Sequence, residues 1–130
     1  MHYFSTEDAP KAIGPYSQAV RRGTTIYTSG QIPLDPATGK LAEGDFEVRA
    51  RRVFKNLEAV LTAAGAGFED VVKATVYLLD LADFQALNAI YAEYFGSHKP
   101  ARSTVGVAQL PMNAPLEIDL VAELKDKRAE

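Results

Sequence analysis

The sequence predicts an α+β domain in the order β-β-α-β-α-β-β, a mixed sheet with two helices on one face. Three observations carry that reading. Residues 71–79 and 116–124 alternate apolar and polar side chains, the period-two pattern of strands with one buried side. Ala50, Val53, Leu57, Val60, Leu61 and Ala64 recur at helical spacing, the stripe of an amphipathic helix. Strand and helix patterns then interleave through the middle of the chain, and such crossovers join parallel strands with their helices packed on the sheet.

Each element has its own signals. Thr24-Thr25-Ile26-Tyr27-Thr28-Ser29 is β-branched and aromatic and ends at Gly30; Val20 and its neighbours supply a partner strand across an Arg21-Arg22-Gly23 turn. Pro33, Asp35, Pro36 and Gly39 mark a loop. Asp45 caps the first helix, Glu47 sits in its first turn, and Gly65 ends it. In the strand over 71–79, Val72, Ala74, Val76 and Leu78 share one face, and Lys73, Thr75 and Tyr77 the other. A second helix runs from about Ala82 or Asp83 to Phe95, with Phe84, Leu87, Tyr91 and Tyr94 as its stripe and Gly96 as its stop. The last two strands span 103–109 and 116–124, joined by a loop with Pro111, Asn113 and Pro115. Tyr27, Tyr77, Val105 and Val107 leave the helix-free sheet face half apolar, which points to an oligomer.

Composition narrows the function. The 130 residues suit one domain over 1–130 with a charged tail at about 125–130, and 47% hydrophobic and 24% charged residues are ordinary for a globular chain. Fourteen basic and 17 acidic residues give a net charge of −3, against a broad grip on nucleic acid. With no cysteine, thiolate metal sites, disulfides and a cysteine nucleophile are excluded. His2 and His98 stand alone, so neither a histidine metal site nor a Ser-His-Asp set is arguable. No apolar run approaches the roughly 20 residues of a membrane span, and residues 1–8 show neither the basic nor the apolar region of a signal segment. The expectation is a cytoplasmic protein with no membrane or nucleic-acid partner. No phosphate-cradling glycine motif is present, and no cofactor is called for.

Five local features are candidates for chemistry. Tyr16 follows a Gly14-Pro15 turn, where it either packs or lines a site. Ser29-Gly30 closes a strand, and the glycine either ends the strand or lets a ligand approach the backbone. Arg102 follows Pro100 at a strand mouth, where a guanidinium grips a carboxylate through two parallel hydrogen bonds or serves as a surface cation; Ser103 and Thr104 add hydroxyls beside it. Glu117 opens an apolar strand beside Pro115, and partial desolvation there would raise its pKa and fit it for proton transfer. Asn88 lies on the polar edge of the second helix. Arginine, glutamate and hydroxyls together suit anion capture with acid/base help.

Taken in order, these segments resemble the YjgF/Rid family of reactive-intermediate imine/enamine deaminases. The resemblance rests on 12–19 (AIGPYSQA), 28–33 (TSGQIP), 72–76 (VKATV), Asp83-Phe84, Asn88-Ala89-Ile90-Tyr91, and 100–110 (PARSTVGVAQL) followed by Leu116-Glu117-Ile118. It covers about residues 5–123. It implies a chorismate-mutase-like fold and a homotrimer with a central barrel-like core and ligand sites in the three clefts between subunits. The implied activity is hydrolysis of 2-iminobutanoate or 2-iminopropanoate to the 2-keto acid and ammonia, a repair of metabolite damage. By the same resemblance Arg102 binds the carboxylate and Glu117 handles water. Tyr16, Ser29, Gly30 and Asn88 line the pocket. The family often carries cysteine where this chain has Thr104, a ligand contact whose replacement bears on substrate preference. Other activities attributed to relatives, RNA cleavage and a holdase role, and a non-catalytic carboxylate-binding trimer, are the competing readings.

A hairpin of the last two strands would set Glu117 opposite about Ala108. That is six residues, or about 20 Å, from Arg102 at roughly 3.3 Å per residue. On that basis Arg102 and Glu117 are expected to meet only across a subunit boundary.

Overall fold

The structure, a computed structural model, describes residues 1–125; beyond Lys125, the charged tail expected over 125–130 lies outside them. Six strands form one mixed sheet: β1 (His2–Phe4), β2 (Ala19–Arg22), β3 (Thr25–Thr28), β4 (Val71–Leu78), β5 (Ala101–Gly106) and β6 (Leu116–Glu123). Their spatial order is β1-β2-β3-β6-β4-β5. Only β4 and β5 run parallel; the remaining neighbours are antiparallel. Helices α1 (Phe46–Ala63) and α2 (Phe84–Phe95) pack against each other and cover one face. The observed order extends the expected one by β1, a three-residue strand too short to show periodicity in sequence.

Helix α1 begins and ends where local chemistry directs. Asp45 accepts a hydrogen bond from the Val48 amide at 3.0 Å, satisfying a first-turn donor of α1. Gly65, just past the Ala64 cap, has φ of 85°, a left-handed geometry a side chain would resist. The core joins the α1 stripe, including Val53, Phe54, Leu57 and Leu61, to Ile26, Ala74, Val76, Leu78, Leu116, Ile118 and Leu120 of the sheet. Phe54 of α1 stacks on Tyr94 at 4.8 Å and meets Tyr91 edge-on at 6.0 Å, which locks α2 to α1.

Two expectations are corrected. A bulge between Val71 and Lys73 shifts the β4 register, so Val71 is buried and Val72 exposed, the reverse of simple alternation. The last two strands form no hairpin, because β4 lies between β5 and β6. Residues 107–115 cross over instead, with Val107 donating to Leu78 and Leu79 donating to Pro115. Among the described residues no helix is long and apolar enough to cross a membrane.

Candidate active site

The register sorts the candidate residues by sheet face. Glu117 pairs with Tyr77, which pairs with Val105; its neighbours Leu116 and Ile118 are fully buried, so Glu117 points to the helix-free face. Arg102 pairs with Ala74, a core residue under the helices, so it points to the opposite face. The two candidates therefore diverge within one chain, for a reason other than the hairpin distance.

Glu117 lies in a cavity of about 380 Å³ with Tyr16, Ser29 and Gly30, three of the other expected pocket residues. Backbone pairing builds this junction. Gln31 donates to Ile118 O at 2.9 Å and Ile118 donates back to Gln31 O at 3.1 Å, which lays residues 30–31 alongside 117–118. A Cβ built on Gly30 would lie 2.8 Å from Glu117 Cδ, so the missing side chain is what lets the carboxylate rest against this backbone. Ser29 is spent on structure: its hydroxyl donates to Ser17 O at 2.6 Å and its amide to Gln18 O at 2.9 Å. Tyr16 is held by its own loop, its hydroxyl oxygen accepting from the Ile13 amide at 3.4 Å.

Buried amides fix the cavity walls. Gln18 donates to Pro10 O at 2.8 Å and accepts from the Thr6 amide at 2.7 Å, tying down the segment before Tyr16. Asn56 on α1 donates to Leu34 O at 2.9 Å and accepts from Arg52 at 3.0 Å, anchoring the Ile32–Leu34 wall. The rim carries the other notable geometry. Met112 and Asn113 have φ of 56° and 55°, the only non-glycine residues with positive φ among those described. Left-handed backbone costs a residue with a Cβ about 1–2 kcal/mol.

The electrostatics suit proton transfer. Burial raises the Glu117 pKa above the ordinary carboxyl range, and the nearby Asp119 carboxylate raises it further. Asp119, two residues along the same face, is raised by its own burial, against the opposing pull of the Tyr77 hydroxyl bond and of Lys73.

Arg102 organises a second cluster. Its guanidinium carbon lies 4.8 Å from the Tyr91 ring centre and 5.5 Å from that of Phe84. Stacking of this kind gains about 0.5–2 kcal/mol and orients the guanidinium plane while leaving its N–H edge free for an anion. Phe84, Asn88 and Tyr91 follow the i, i+4, i+7 pattern of one α2 stripe, which places Asn88 on the face that meets Arg102. Thr104 pairs with Val76 and shares the Arg102 face; its Oγ1 is buried with no hydrogen-bond partner. The Tyr91 hydroxyl is likewise buried without one. Ser103 joins neither cluster: it alternates to the other face, in register with Thr75.

Sequence reasoning missed the roles of Phe84 and Tyr91, which it read as helix stripe, and of Met112. An asparagine interrupting an aromatic stripe at Asn88 was the available signal for the first two. Among the described residues no group of three or more acidic or histidine side chains could hold a metal ion.

The fold and its two clusters define a small α+β protein with an arginine stacked on aromatic rings on one sheet face and a desolvated carboxylate in a cavity on the other. Comparisons with known proteins place it more closely. A family model described as Endoribonuclease L-PSP matches residues 6–124. A RutC family protein of Pyrococcus horikoshii is 50% identical over 117 residues, 90% of this chain and 93% of that one. Reactive Intermediate Deaminase A, chloroplastic, of Arabidopsis thaliana is 48% identical over 120 residues, 92% of this chain and 64% of that protein. The crystal structure of E. coli TdcF with bound serine superposes with a TM-score of 0.91 at 41% identity, covering 96% of this chain and all of that one. The chain belongs to the YjgF/Rid family.

Proposed function

We propose that this protein hydrolyses reactive 2-imino acids, including 2-iminobutanoate and 2-iminopropanoate, to 2-keto acids and ammonia, as a homotrimer whose sites are shared between subunits. The observation that carries the reading is the division of the site. Two strand spacings and a three-residue offset put the Arg102 and Glu117 backbones roughly 14 Å apart, with side chains on opposite faces. In a 2-imino acid the carboxylate carbon and C2 are directly bonded. One chain cannot serve both atoms, so Arg102 of one copy and Glu117 of another are the natural pair. The deaminase name of the Arabidopsis relative supports the chemistry. The serine bound in the TdcF structure supports the ligand class, since serine also carries nitrogen on the carbon beside a carboxylate.

The chemistry follows from the groups. Arg102 takes the carboxylate bidentately and fixes C2, which makes addition of water nearly unimolecular. Ionised Glu117 accepts a proton as the water oxygen bonds to C2 and the C=N pair moves to nitrogen. That proton then passes to nitrogen. Glu117 then takes the carbinolamine hydroxyl proton and passes it to the amino nitrogen as the C–N bond breaks, leaving keto acid, ammonia and ionised Glu117. A carboxyl with a raised pKa suits both directions of transfer. The buried, unpartnered Thr104 hydroxyl beside Arg102 is placed to bind a substrate oxygen or nitrogen.

The test generates 2-iminobutanoate with threonine dehydratase, traps it with semicarbazide, and adds this protein as competitor. Wild type diverts the imine to keto acid, whereas Arg102→Ala and Glu117→Gln do not, with assembly followed by light scattering. A trimer that binds keto acids yet leaves ammonia release unchanged would favour the binding-protein reading. The endoribonuclease description of the family model favours an RNA reading. Against it stand the net charge of −3 and the absence of histidine from both clusters; the His98 ring is bonded to the Val71 carbonyl at 2.6 Å.

A further inference from the structure

We propose that Met112 is a specificity-determining wall of the Glu117 cavity, selecting 2-imino acids with a branched or long aliphatic side chain over those with a methyl group. The inference rests on the deaminase reading and adds the substrate class. Beside its polar members the cavity is lined by Pro10, Ile13, Ile32, Leu34, Pro111 and Met112. That apolar wall is more than a carboxylate, an imine nitrogen and a water require.

Among these residues Met112 is singled out by its backbone. A turn that needs left-handed geometry ordinarily uses glycine or asparagine, as Asn113 does. Met112 holds that geometry with a full side chain, a backbone outlier of the kind that clusters at functional sites. The loop is also stiff. Prolines stand at 111 and 115, Asn113 donates to Leu110 O at 3.0 Å, Ala114 donates to Pro111 O at 3.1 Å, and Ala114 is fully buried. This frame holds Met112, 52% exposed, at the rim of the cavity that contains Glu117. Its exposure at the cavity rim leaves the side chain open to contact with an aliphatic group of a ligand. The unbranched thioether adapts to aliphatic groups of different shape.

The experiment compares imines generated from leucine and from alanine by an amino-acid oxidase, under semicarbazide competition. It is run with wild type, Met112→Ala and Met112→Leu. A parallel calorimetric titration measures the Kd of the two corresponding 2-keto acids. The leucine-to-alanine ratio of kcat/KM falls about tenfold in Met112→Ala, the usual scale for losing a few methylene contacts, and stays within about twofold in Met112→Leu. The same ratio computed from Kd falls in parallel. An unchanged ratio in Met112→Ala, with melting showing the variant folded, overturns the proposal. If wild type hydrolyses neither imine, the deaminase reading fails, and the Kd ratio alone decides for or against Met112.

Discussion

Replacing Gly30 with alanine separates stability from catalysis. The added Cβ would sit 2.8 Å from Glu117 Cδ, closer than carbon atoms tolerate, so the carboxylate must swing away. The neighbour that yields is the end of a flexible side chain, and Gly30 has no left-handed backbone to strain. The stability cost is therefore small, about 0.5–1.5 kcal/mol for one off-rotamer side chain, or roughly 2–6 °C in Tm for a domain of this size. Catalysis is affected far more. A displacement of about 1 Å in a group that must take a proton from an attacking water costs about 100-fold in kcat. The assay is the imine competition at saturating substrate, with Tm by calorimetry and binding of 2-ketobutanoate by titration. Arg102 is untouched, so affinity for the keto acid stays within a few-fold. If Gly30→Ala retains more than a third of wild-type kcat with the Tm shift as stated, Glu117 does not act from the position seen here.

Four further outcomes follow from the same geometry. Arg102→Lys keeps the charge but loses the bidentate fork and the stacking on Tyr91 and Phe84, so KM for 2-iminobutanoate rises at least tenfold, checked by initial rates across substrate concentration. Glu117 must be ionised to accept a proton, and its pKa is raised by burial and by Asp119; kcat/KM therefore falls with acid from a higher pH than an ordinary carboxyl would set. Asp119→Asn moves that limb to lower pH, read from the pH–rate profile. Because the folded pKa values of Glu117 and Asp119 lie above the unfolded ones, these two groups favour folding more as pH falls through that window, seen as a gain in urea midpoint before general acid unfolding begins. Asn56→Ala strips the buried partner from Leu34 O and loosens the Ile32–Leu34 wall. It costs about 1–3 kcal/mol in urea unfolding.

Much of the fold was legible because single residues carry local signals. Asp45 and Gly65 bound α1, Gly96 ends α2, and the alternation over 116–123 assigns Glu117 and Leu116 to opposite faces without reference to any partner strand. Where local periodicity is interrupted the reading slips: the bulge at Val71–Lys73 exchanges the roles of Val71 and Val72, and β1 is too short to register. The candidate site was legible as a set of residue types, but its grouping was not. Ser103 and Arg102 are adjacent in sequence yet face opposite ways, and Thr104 joins Arg102 rather than Ser103.

By itself, then, the sequence determined the order of the two helices and the five longer strands, the buried stripe of α1, the two faces of β6 and the candidate residues for holding an anion or moving a proton. These depend on spacing along a few consecutive residues, where backbone geometry dictates direction. The tertiary structure alone decided that β4 runs between β5 and β6, and that Gly30 makes room for Glu117. It also decided that Tyr91 and Phe84 carry Arg102 and that Met112 stands at the cavity rim. Each of those joins segments tens of residues apart. Which strand lies beside which is settled by the burial of the whole apolar surface at once, a global free-energy balance that no local pattern encodes.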